Sequence, residues 1–74
     1  MKSKNVKIVG ITDVVNLAKE AYKVDGDICI KRGKYVVDGK SLMGIMSIDV
    51  SMGVVIEYPE DAKEFENFIS QFEY

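Results

Sequence analysis

Few side chains in this sequence could take part in chemistry, and those that could are hydroxyl, carboxyl and thiol groups. The chain contains no histidine and a single cysteine, Cys29. A metal site would need clustered histidine, cysteine or suitably spaced acidic ligands, so we expect no metal and no cofactor. One cysteine cannot form an internal disulfide, and its place in an alternating segment predicts an inert thiol. No nucleophile–base pair and no phosphate-binding glycine loop is visible, so the sequence does not predict an enzyme.

The serine at the front of residues 40–50, KSLMGIMSIDV, is the most informative of these groups. The apolar run behind it is short and interrupted by glycine, which predicts a short helix with Ser41 as its N-cap. A phosphate on the Ser41 hydroxyl would lie at the positive end of the helix, beside unpaired backbone N–H groups. Helix capping and regulatory phosphorylation are therefore compatible roles for Ser41, and the residues alone leave both open.

The apolar side chains of this short helix allow two interpretations. Methionines on a small helix are typical of an adaptable contact surface, so Leu42, Met43 and Met46 are candidates for binding a partner. Alternatively they belong to the core, because a short helix over a small sheet must bury one side. We expect Ile45 to be buried, with Leu42 as a second candidate for the core. Met43 and Met46 should be at least partly exposed.

Length, charge and hydropathy restrict the class of protein. Seventy-four residues, 47% of them hydrophobic and 30% charged, predict a single folded domain spanning 1–74. The net charge of −2 provides no basic excess for nucleic acid, and the basic cluster at 31–34 is typical of a hairpin tip. No apolar stretch approaches the ~20 residues of a membrane span, and no signal peptide opens the chain. We therefore expect a cytoplasmic protein that binds neither nucleic acid nor membranes.

Hydrophobic periodicity predicts the elements that position these groups. Four segments read as strands: 5–9, 27–32, 34–38 and 54–58. Helical spacing of apolar residues predicts a helix from 14 to 24, capped by Thr12 or Asp13. A last helix should be opened by the segment 59–61, Pro-Glu-Asp. With the short helix, the order β-α-β-β-α-β-α indicates an α+β open-faced sandwich, with a four-stranded antiparallel sheet and helices on one face.

Residues 40–48 resemble the serine motif of the HPr family, the histidine-containing phosphocarriers of the bacterial sugar phosphotransferase system. The motif has the form K-S-[IL]-M-G-[VI]-M-S-[LI], and all nine consecutive residues fit it. The element order also agrees, and the family's Gly-Lys at the hairpin turn is present as Gly33-Lys34. The resemblance implies an HPr-like fold in which Ser41 is the regulatory phosphorylation site of Gram-positive members. It also implies that the short helix and the loop beside it form the surface on which partner proteins dock.

The second motif of the family is degenerate here. Its form is G-[IL]-H-A-R-P, in which the histidine carries phosphate and the arginine contacts it, but the matching place reads Gly10-Ile11-Thr12-Asp13. Matching the glycines puts Thr12 at the histidine position, whereas counting back without gaps from Ser41 puts Gly10 there. Under either alignment, a chain without histidine cannot form a phosphohistidine. Threonine would form a stable ester, and Asp13 has no arginine beside it to support an acyl phosphate.

The resemblance therefore implies a non-catalytic regulatory or adaptor protein, Crh-like in lacking the histidine and related to carbon catabolite regulation. Its partners would be proteins, such as an HPr kinase acting on Ser41 and a transcriptional regulator that binds the phosphorylated form. One alternative is a constitutive protein-binding module without phosphorylation, present as a monomer or as a weak homodimer through Met43 and Met46. An active phosphocarrier is the least supported alternative.

Overall fold

Three helices cover one face of a four-stranded sheet in the computed structural model, which describes all 74 residues. In chain order the elements are β1 (Lys2–Val6), α1 (Ile11–Tyr22), β2 (Cys29–Arg32), β3 (Tyr35–Asp38), α2 (Leu42–Met46), a 3-10 turn (Val50–Met52), β4 (Val54–Tyr58) and α3 (Lys63–Ser70). The strand order is β1-β4-β2-β3, and every pairing is antiparallel. The predicted α+β class, element order and sheet type are confirmed.

The core lies between the sheet and the helices and is one cluster of 15 buried apolar residues. The central strand β4 shows how the sheet contributes to it, because Val54, Ile56 and Tyr58 are buried while Val55 and Glu57 are half-exposed. This alternation places one face of the sheet against the helices and leaves the other to solvent. The buried residues of α1 recur at three- and four-residue steps, which puts them on one side of the helix: Val14, Leu17, Ala18 and Ala21.

The first strand lies earlier than predicted, at Lys2–Val6 rather than at 5–9. All five of its residues pair with β4, so the length of β4 sets its limits. The alternation that suggested 5–9 comes from Val6 and Ile8, which are both buried. However, the Ile8 N–H donates to the Val50 carbonyl at 3.0 Å instead of to β4. Local periodicity thus reports burial, whereas the partner strand decides where the ladder begins and ends.

The start of α1 also differs from the prediction. The helix begins at Ile11, with Gly10 as its N-cap at φ 102° and ψ 136°, and no side chain caps it. Neither Thr12 nor Asp13 is the N-cap, because both already lie in the first helical turn. A positive φ is readily adopted only by glycine, so Gly10 lets the chain turn into the helix without a capping side chain.

The start of α3 is likewise later than predicted. Pro59 and the two residues after it form a turn, closed by the Ala62 N–H donating to the Pro59 carbonyl at 3.1 Å. Ala62 is the N-cap, and the acidic residues in the first turn are Glu64 and Glu66. None of the helices combines the length and the apolar character needed to cross a membrane.

The two edges of the sheet differ in their covering. At β1, the Lys7 N–H donates to the Phe72 carbonyl at 3.1 Å, and the Tyr74 N–H donates to the Asn5 carbonyl at 3.4 Å. The last residues of the chain therefore lie along the end of this strand. At the other edge, β3 pairs only with β2, and no strand lies along its outer side.

Candidate functional site

Ser41 is the N-cap of α2, and its hydroxyl has a fixed hydrogen bond. Its backbone is extended at φ −103° and ψ 111°, and its Oγ accepts from the Gly44 N–H at 3.1 Å. The Ser41 carbonyl accepts from the Ile45 N–H at 3.0 Å. The side chain thus satisfies a backbone N–H that the helix itself leaves without a partner. The residue is half-buried, and so is this hydrogen bond.

Gly44 explains how Ser41 can approach the helix so closely. A Cβ on Gly44 would lie 3.3 Å from Ser41 Oγ, 3.4 Å from Ser41 Cβ and 3.5 Å from Val37 Cβ. Its backbone φ is not positive, so space and not conformation is what this position requires. The glycine within the serine motif therefore makes room for the capping serine.

The turn before α2 is fixed by three hydrogen bonds. The Ser41 N–H donates to the Asp38 carbonyl at 3.1 Å, and the Lys40 N–H donates to Asp38 Oδ1 at 2.9 Å. Lys40 Nζ donates to the carbonyl of Val24 at 2.7 Å, across to the loop after α1. These bonds tie Lys40 and Ser41 to the end of β3 and tie Lys40 to the loop after α1.

The apolar side chains of α2 divide into a buried anchor and an exposed surface. Ile45 is fully buried, as predicted, and fastens the helix to the core. Met43 is 85% exposed and Met46 is 58% exposed, which agrees with the expectation for both. Leu42 was a second candidate for the core, but at 37% exposure it lies at the surface. The single apolar face of a five-residue helix is filled by Ile45 alone.

The structure brings part of the degenerate loop to the same cleft as α2. A cleft of about 240 Å³ is lined by Gly10 and Ile11 on one side and by Met46 and Ile48 on the other. Thr12 is exposed and Asp13 is half-buried, and neither lines the cleft. Gly10 and Ile11 of the loop therefore share this cleft with Met46, which is one of the three predicted partner-binding residues.

The polar wall of this cleft is formed by Asp49 and Ser51. The hydroxyl and the backbone N–H of Ser51 both donate to Asp49 Oδ1. These two hydrogen bonds, the hydroxyl foremost, lower the pKa of the Asp49 carboxyl below its usual value. The wall thus carries a negative charge at neutral pH, although Asp49 also serves as the N-cap of the 3-10 turn.

A second and larger hollow lies between α1 and α2, beside Ser41. This α1–α2 groove has a volume of about 500 Å³, and its surface is mostly apolar although three of its lining residues are lysines. Its lining residues are Val15, Ala18, Lys19, Tyr22, Lys23, Lys40 and Leu42. No acidic residue lines it, although Lys23 pairs with Glu20 at 2.9 Å outside the groove. Lys40 and Leu42 are the two chain neighbours of Ser41, so the capping serine lies at the rim.

The groove contains residues that the sequence analysis did not single out. Lys19 lies on α1 and Lys23 is the C-cap of that helix, four residues later. Val15 lies four residues before Lys19, so all three share one side of the helix. That spacing was readable in the sequence, and it would have predicted a basic stripe. Lys40 had no such signal, because only the fold brings it against α1.

The chemistry available at this site is limited to the Ser41 hydroxyl accepting a group that another molecule transfers to it. Ser41 Oγ is hydrogen-bonded to a backbone N–H, and no carboxylate or other base bonds to it. Without a base, the hydroxyl is not activated as a nucleophile by its own surroundings. It is nevertheless placed where an added phosphate would meet the first turn of a helix and a lysine-rimmed groove.

The fold and the site together define a class of protein: an open-faced α+β sandwich that carries a serine-capped short helix on its helical layer. The family model described as "PTS HPr component phosphorylation site" matches residues 14–72. The chain therefore belongs to the HPr family. The matched region includes Ser41 and all of α2, and it begins after the degenerate loop at 10–13.

Solved structures of HPr proteins share this fold. Phosphocarrier protein HPr from Bacillus anthracis is 26% identical, with a TM-score of 0.74 and coverage of 97% of this chain and 96% of its own. HPr-C-His from Thermoanaerobacter tengcongensis is 24% identical, with a TM-score of 0.78 and coverage of 96% and 89%. The histidine-containing phosphocarrier protein of Mycoplasma is 24% identical, with a TM-score of 0.75 and coverage of 95% and 89%. No curated protein sequence matches the chain.

Proposed function

We propose that this protein is a regulatory or adaptor member of the HPr family that lacks phosphohistidine carrier activity and is controlled by phosphorylation of Ser41. The observation that carries the proposal is the pairing of an intact serine cap with a chain that has no histidine. Imidazole is the group whose phosphoramidate is formed and transferred readily near neutral pH, and nothing in the loop replaces it. In this proposal the protein acts in the cytoplasm of a bacterium, within carbon catabolite regulation.

Local geometry supports phosphorylation of Ser41 without unfolding of α2. Ser41 Oγ already accepts a hydrogen bond from the Gly44 N–H, and a phosphate oxygen can accept in the same place. Phosphate carries a charge of about −1.5 to −2 at neutral pH, which the positive end of a helix favours. The modified side chain should therefore remain a cap.

The α1–α2 groove supplies the readout of this modification. Three lysines rim the groove, and Ser41 lies next to one of them in the chain. Phosphorylation would offset most of that positive charge and add acceptor oxygens at the rim. A partner protein that docks on Leu42, Met43 and Met46 would then distinguish the two forms by charge. An HPr kinase and a transcriptional regulator are the partners that this model assigns.

The test is intact-mass spectrometry after two separate incubations. One contains ATP and an HPr kinase, and the other contains phosphoenolpyruvate and enzyme I of the phosphotransferase system. We expect one added phosphate with the kinase only, and none in Ser41→Ala. Ser47→Ala is the matched control, because Ser47 is an exposed serine at the other end of α2 whose hydroxyl donates to the Gly44 carbonyl at 2.6 Å. That variant should be phosphorylated like the wild type.

The other outcomes are equally informative. A phosphate gained from enzyme I would overturn the loss of carrier activity, and Asp13→Asn would then show whether the aspartate carries it. No phosphate from a kinase that modifies an ordinary HPr would overturn regulation at Ser41. The remaining function would be that of a constitutive binding module, which the large exposure of Met43 and Met46 favours as the second candidate. Self-association through these two methionines is one form of it.

A further inference from the structure

The outer edge of β3 is an unused backbone surface on the far side of the sheet from β1. The strand order places β3 at the end of the sheet, and its residues pair only with β2. The first two side chains of β3 are large and apolar, yet Tyr35 is 61% exposed and Val36 is 58% exposed. An uncovered edge of this kind is a template for a further strand. The β1 edge differs, because the end of the chain lies along part of it.

The hairpin register shows which backbone groups face outward. Arg32 and Tyr35 flank the two-residue turn at 33–34, so they form a hydrogen-bonded pair, and bonding then alternates along the antiparallel ladder. The Gly39 N–H donates to the Ile28 carbonyl at 2.8 Å, which agrees with this alternation. Val36 therefore forms no backbone hydrogen bond with β2. Its N–H and its carbonyl lie in the plane of the sheet and point outward from the β3 edge.

The charges at the two ends of this edge are complementary to each other. Lys34 precedes the strand and Asp38 ends it, and neither forms an ion pair within the chain. In an antiparallel pair related by a two-fold axis at Val36, Lys34 of one copy lies opposite Asp38 of the other. Tyr35 then lies opposite Val37, and aromatic residues across from β-branched ones are favourable cross-strand pairs.

We propose that two copies of this chain associate through their β3 edges and form one continuous antiparallel sheet. The Val36 N–H of each copy donates to the Val36 carbonyl of the other, and the Asp38 N–H donates to the opposite Lys34 carbonyl. The Asp38 carbonyl already accepts from the Ser41 N–H, so the pairing ends there. This inference does not depend on phosphorylation of Ser41.

The contact is small, which sets the expected strength of association. Four residues of edge bury far less than the ~1,600 Å² of a standard interface, so we expect a dissociation constant above about 10 μM. Sedimentation equilibrium across a concentration series up to about 1 mM should show the average mass rising above the monomer value of 8.3 kDa. A constant monomer mass over the whole series would overturn the proposal.

Charge reversal tests the register. Lys34→Asp alone and Asp38→Lys alone each place like charges opposite each other, so both should remain monomeric. The double variant, or an equimolar mixture of the two singles, restores opposite charges and should recover association. Asp38→Lys alone and the double variant both lack the hydrogen bond from the Lys40 N–H to Asp38 Oδ1. Association recovered in the double variant therefore cannot come from that local bond. Lys63→Asp, a charge change of the same size at an exposed residue of α3, should associate like the wild type. If the double variant stays monomeric, the register is wrong.

Val36→Glu breaks the dimer while leaving the monomer fold intact. Within the monomer residue 36 lies opposite Lys31, which favours a carboxylate there, whereas across the two-fold axis two glutamates would repel. Circular dichroism should match the wild type, and association should be lost. Association that survives Val36→Glu but is lost in Met43→Ser/Met46→Ser would overturn the β3 edge in favour of α2.

The single cysteine gives a geometric test on the wild-type chain. Cys29 lies opposite Asp38 on β2, so the two copies of Cys29 are separated by three strand spacings and by about four residues along the strand. At ~4.8 Å per strand and ~3.4 Å per residue, their Cα atoms should lie about 20 Å apart. Spin labels on Cys29, measured by pulsed dipolar spectroscopy, should give a distance near that value. A distance beyond about 30 Å would exclude this pairing.

Discussion

The helices α1 and α2 begin by different means. α2 begins at a serine whose hydroxyl accepts from the helix, and the glycine three residues later leaves room for it. α1 begins at Gly10, which turns the chain by a positive φ and offers no side chain at all. A serine cap presents a hydroxyl group, whereas a glycine cap presents only backbone. The region that fits the serine motif thus carries a hydroxyl at the start of its helix, and the region at 10–13 carries only a turn.

The same contrast holds for packing. α2 is fastened by the buried Ile45, although Met43 and Met46 are exposed beside it. The loop residues Ile11 and Thr12 are both exposed, and no buried side chain precedes Val14 within α1. We therefore expect substitutions in the α2 region to change stability more than substitutions of side chains in the loop.

The largest effect should come from Ile45→Ala. Removing a fully buried isoleucine leaves a cavity under α2 and should lower the free energy of unfolding by about 3 kcal/mol. Ile11→Ala, the matched change in the loop, should alter it by less than about 0.5 kcal/mol because the side chain is exposed. Urea denaturation of both variants measures the difference. Equal losses would show that the loop is packed as tightly as α2.

The next effect should come from the two glycines, for different reasons. Gly10→Ala should cost about 1–2 kcal/mol because a Cβ is disfavoured at φ 102°, although nothing lies within 4 Å of it. A Cβ at Gly44 would lie 3.3 Å from Ser41 Oγ, so Gly44→Ala carries a steric cost, which opposes the higher helix propensity of alanine. A double-mutant cycle distinguishes the causes: Ser41→Ala should relieve part of the cost of Gly44→Ala and none of the cost of Gly10→Ala. Additivity of the Gly44–Ser41 pair would remove the steric explanation.

A smaller effect should come from the caps themselves. Ser41→Ala removes the acceptor of the Gly44 N–H and should lower the free energy of unfolding by about 1 kcal/mol. Thr12→Ala should lower it by less than about 0.5 kcal/mol, since Thr12 is exposed and caps nothing. Ser41→Asp retains an acceptor and should recover most of the loss. A thermal melt of each variant provides the comparison.

The smallest effect concerns acid sensitivity outside both regions. Tyr58 Oη donates to Glu66 Oε2 at 2.6 Å and Lys2 Nζ donates to it at 2.9 Å, which lowers the pKa of Glu66 from 4.5 to about 2. Because the folded-state pKa is lowered, this stabilisation is present above pH 4.5 and is lost as the pH falls toward 2. Glu66→Gln should therefore reduce the slope of stability against pH in that window.

The control for the acid series is Glu64→Gln, two residues away on α3. Glu64 makes no hydrogen bond or ion pair, so this variant should follow the wild-type slope. Urea denaturation at several pH values measures all three proteins. A Glu66→Gln slope equal to that of the wild type would show that other carboxylates govern the acid sensitivity.

The sequence by itself determined the family, the order of elements and the chemistry that is missing. The nine-residue motif from Lys40 to Ile48 is contiguous, so no folding information was needed to read it. The absence of histidine is a property of composition, and it excludes a phosphohistidine under any alignment. Exposure of Met43 and Met46 was also predictable, because a short helix has only one side to bury and Ile45 occupies it.

The limits of elements and the shape of the site were decided by the tertiary structure. β1 begins at Lys2 because β4 pairs along its whole length, and the paired residues lie 48 to 56 positions apart in the chain. Gly10, rather than Thr12 or Asp13, starts α1, since capping residues compete and only the path of the chain selects one. Local patterns report which side of a segment is buried, but they carry no information about which partner defines its ends.

The α1–α2 groove shows the same division most directly. The spacing of Lys19 and Lys23 is written in the sequence, yet Lys40 joins them only because its Nζ reaches the Val24 carbonyl across the fold. The sequence thus determined which groups the protein possesses. Packing decided which of these groups lie close together. The width of the groove is the distance between α1 and α2, and the core beneath the two helices sets that distance.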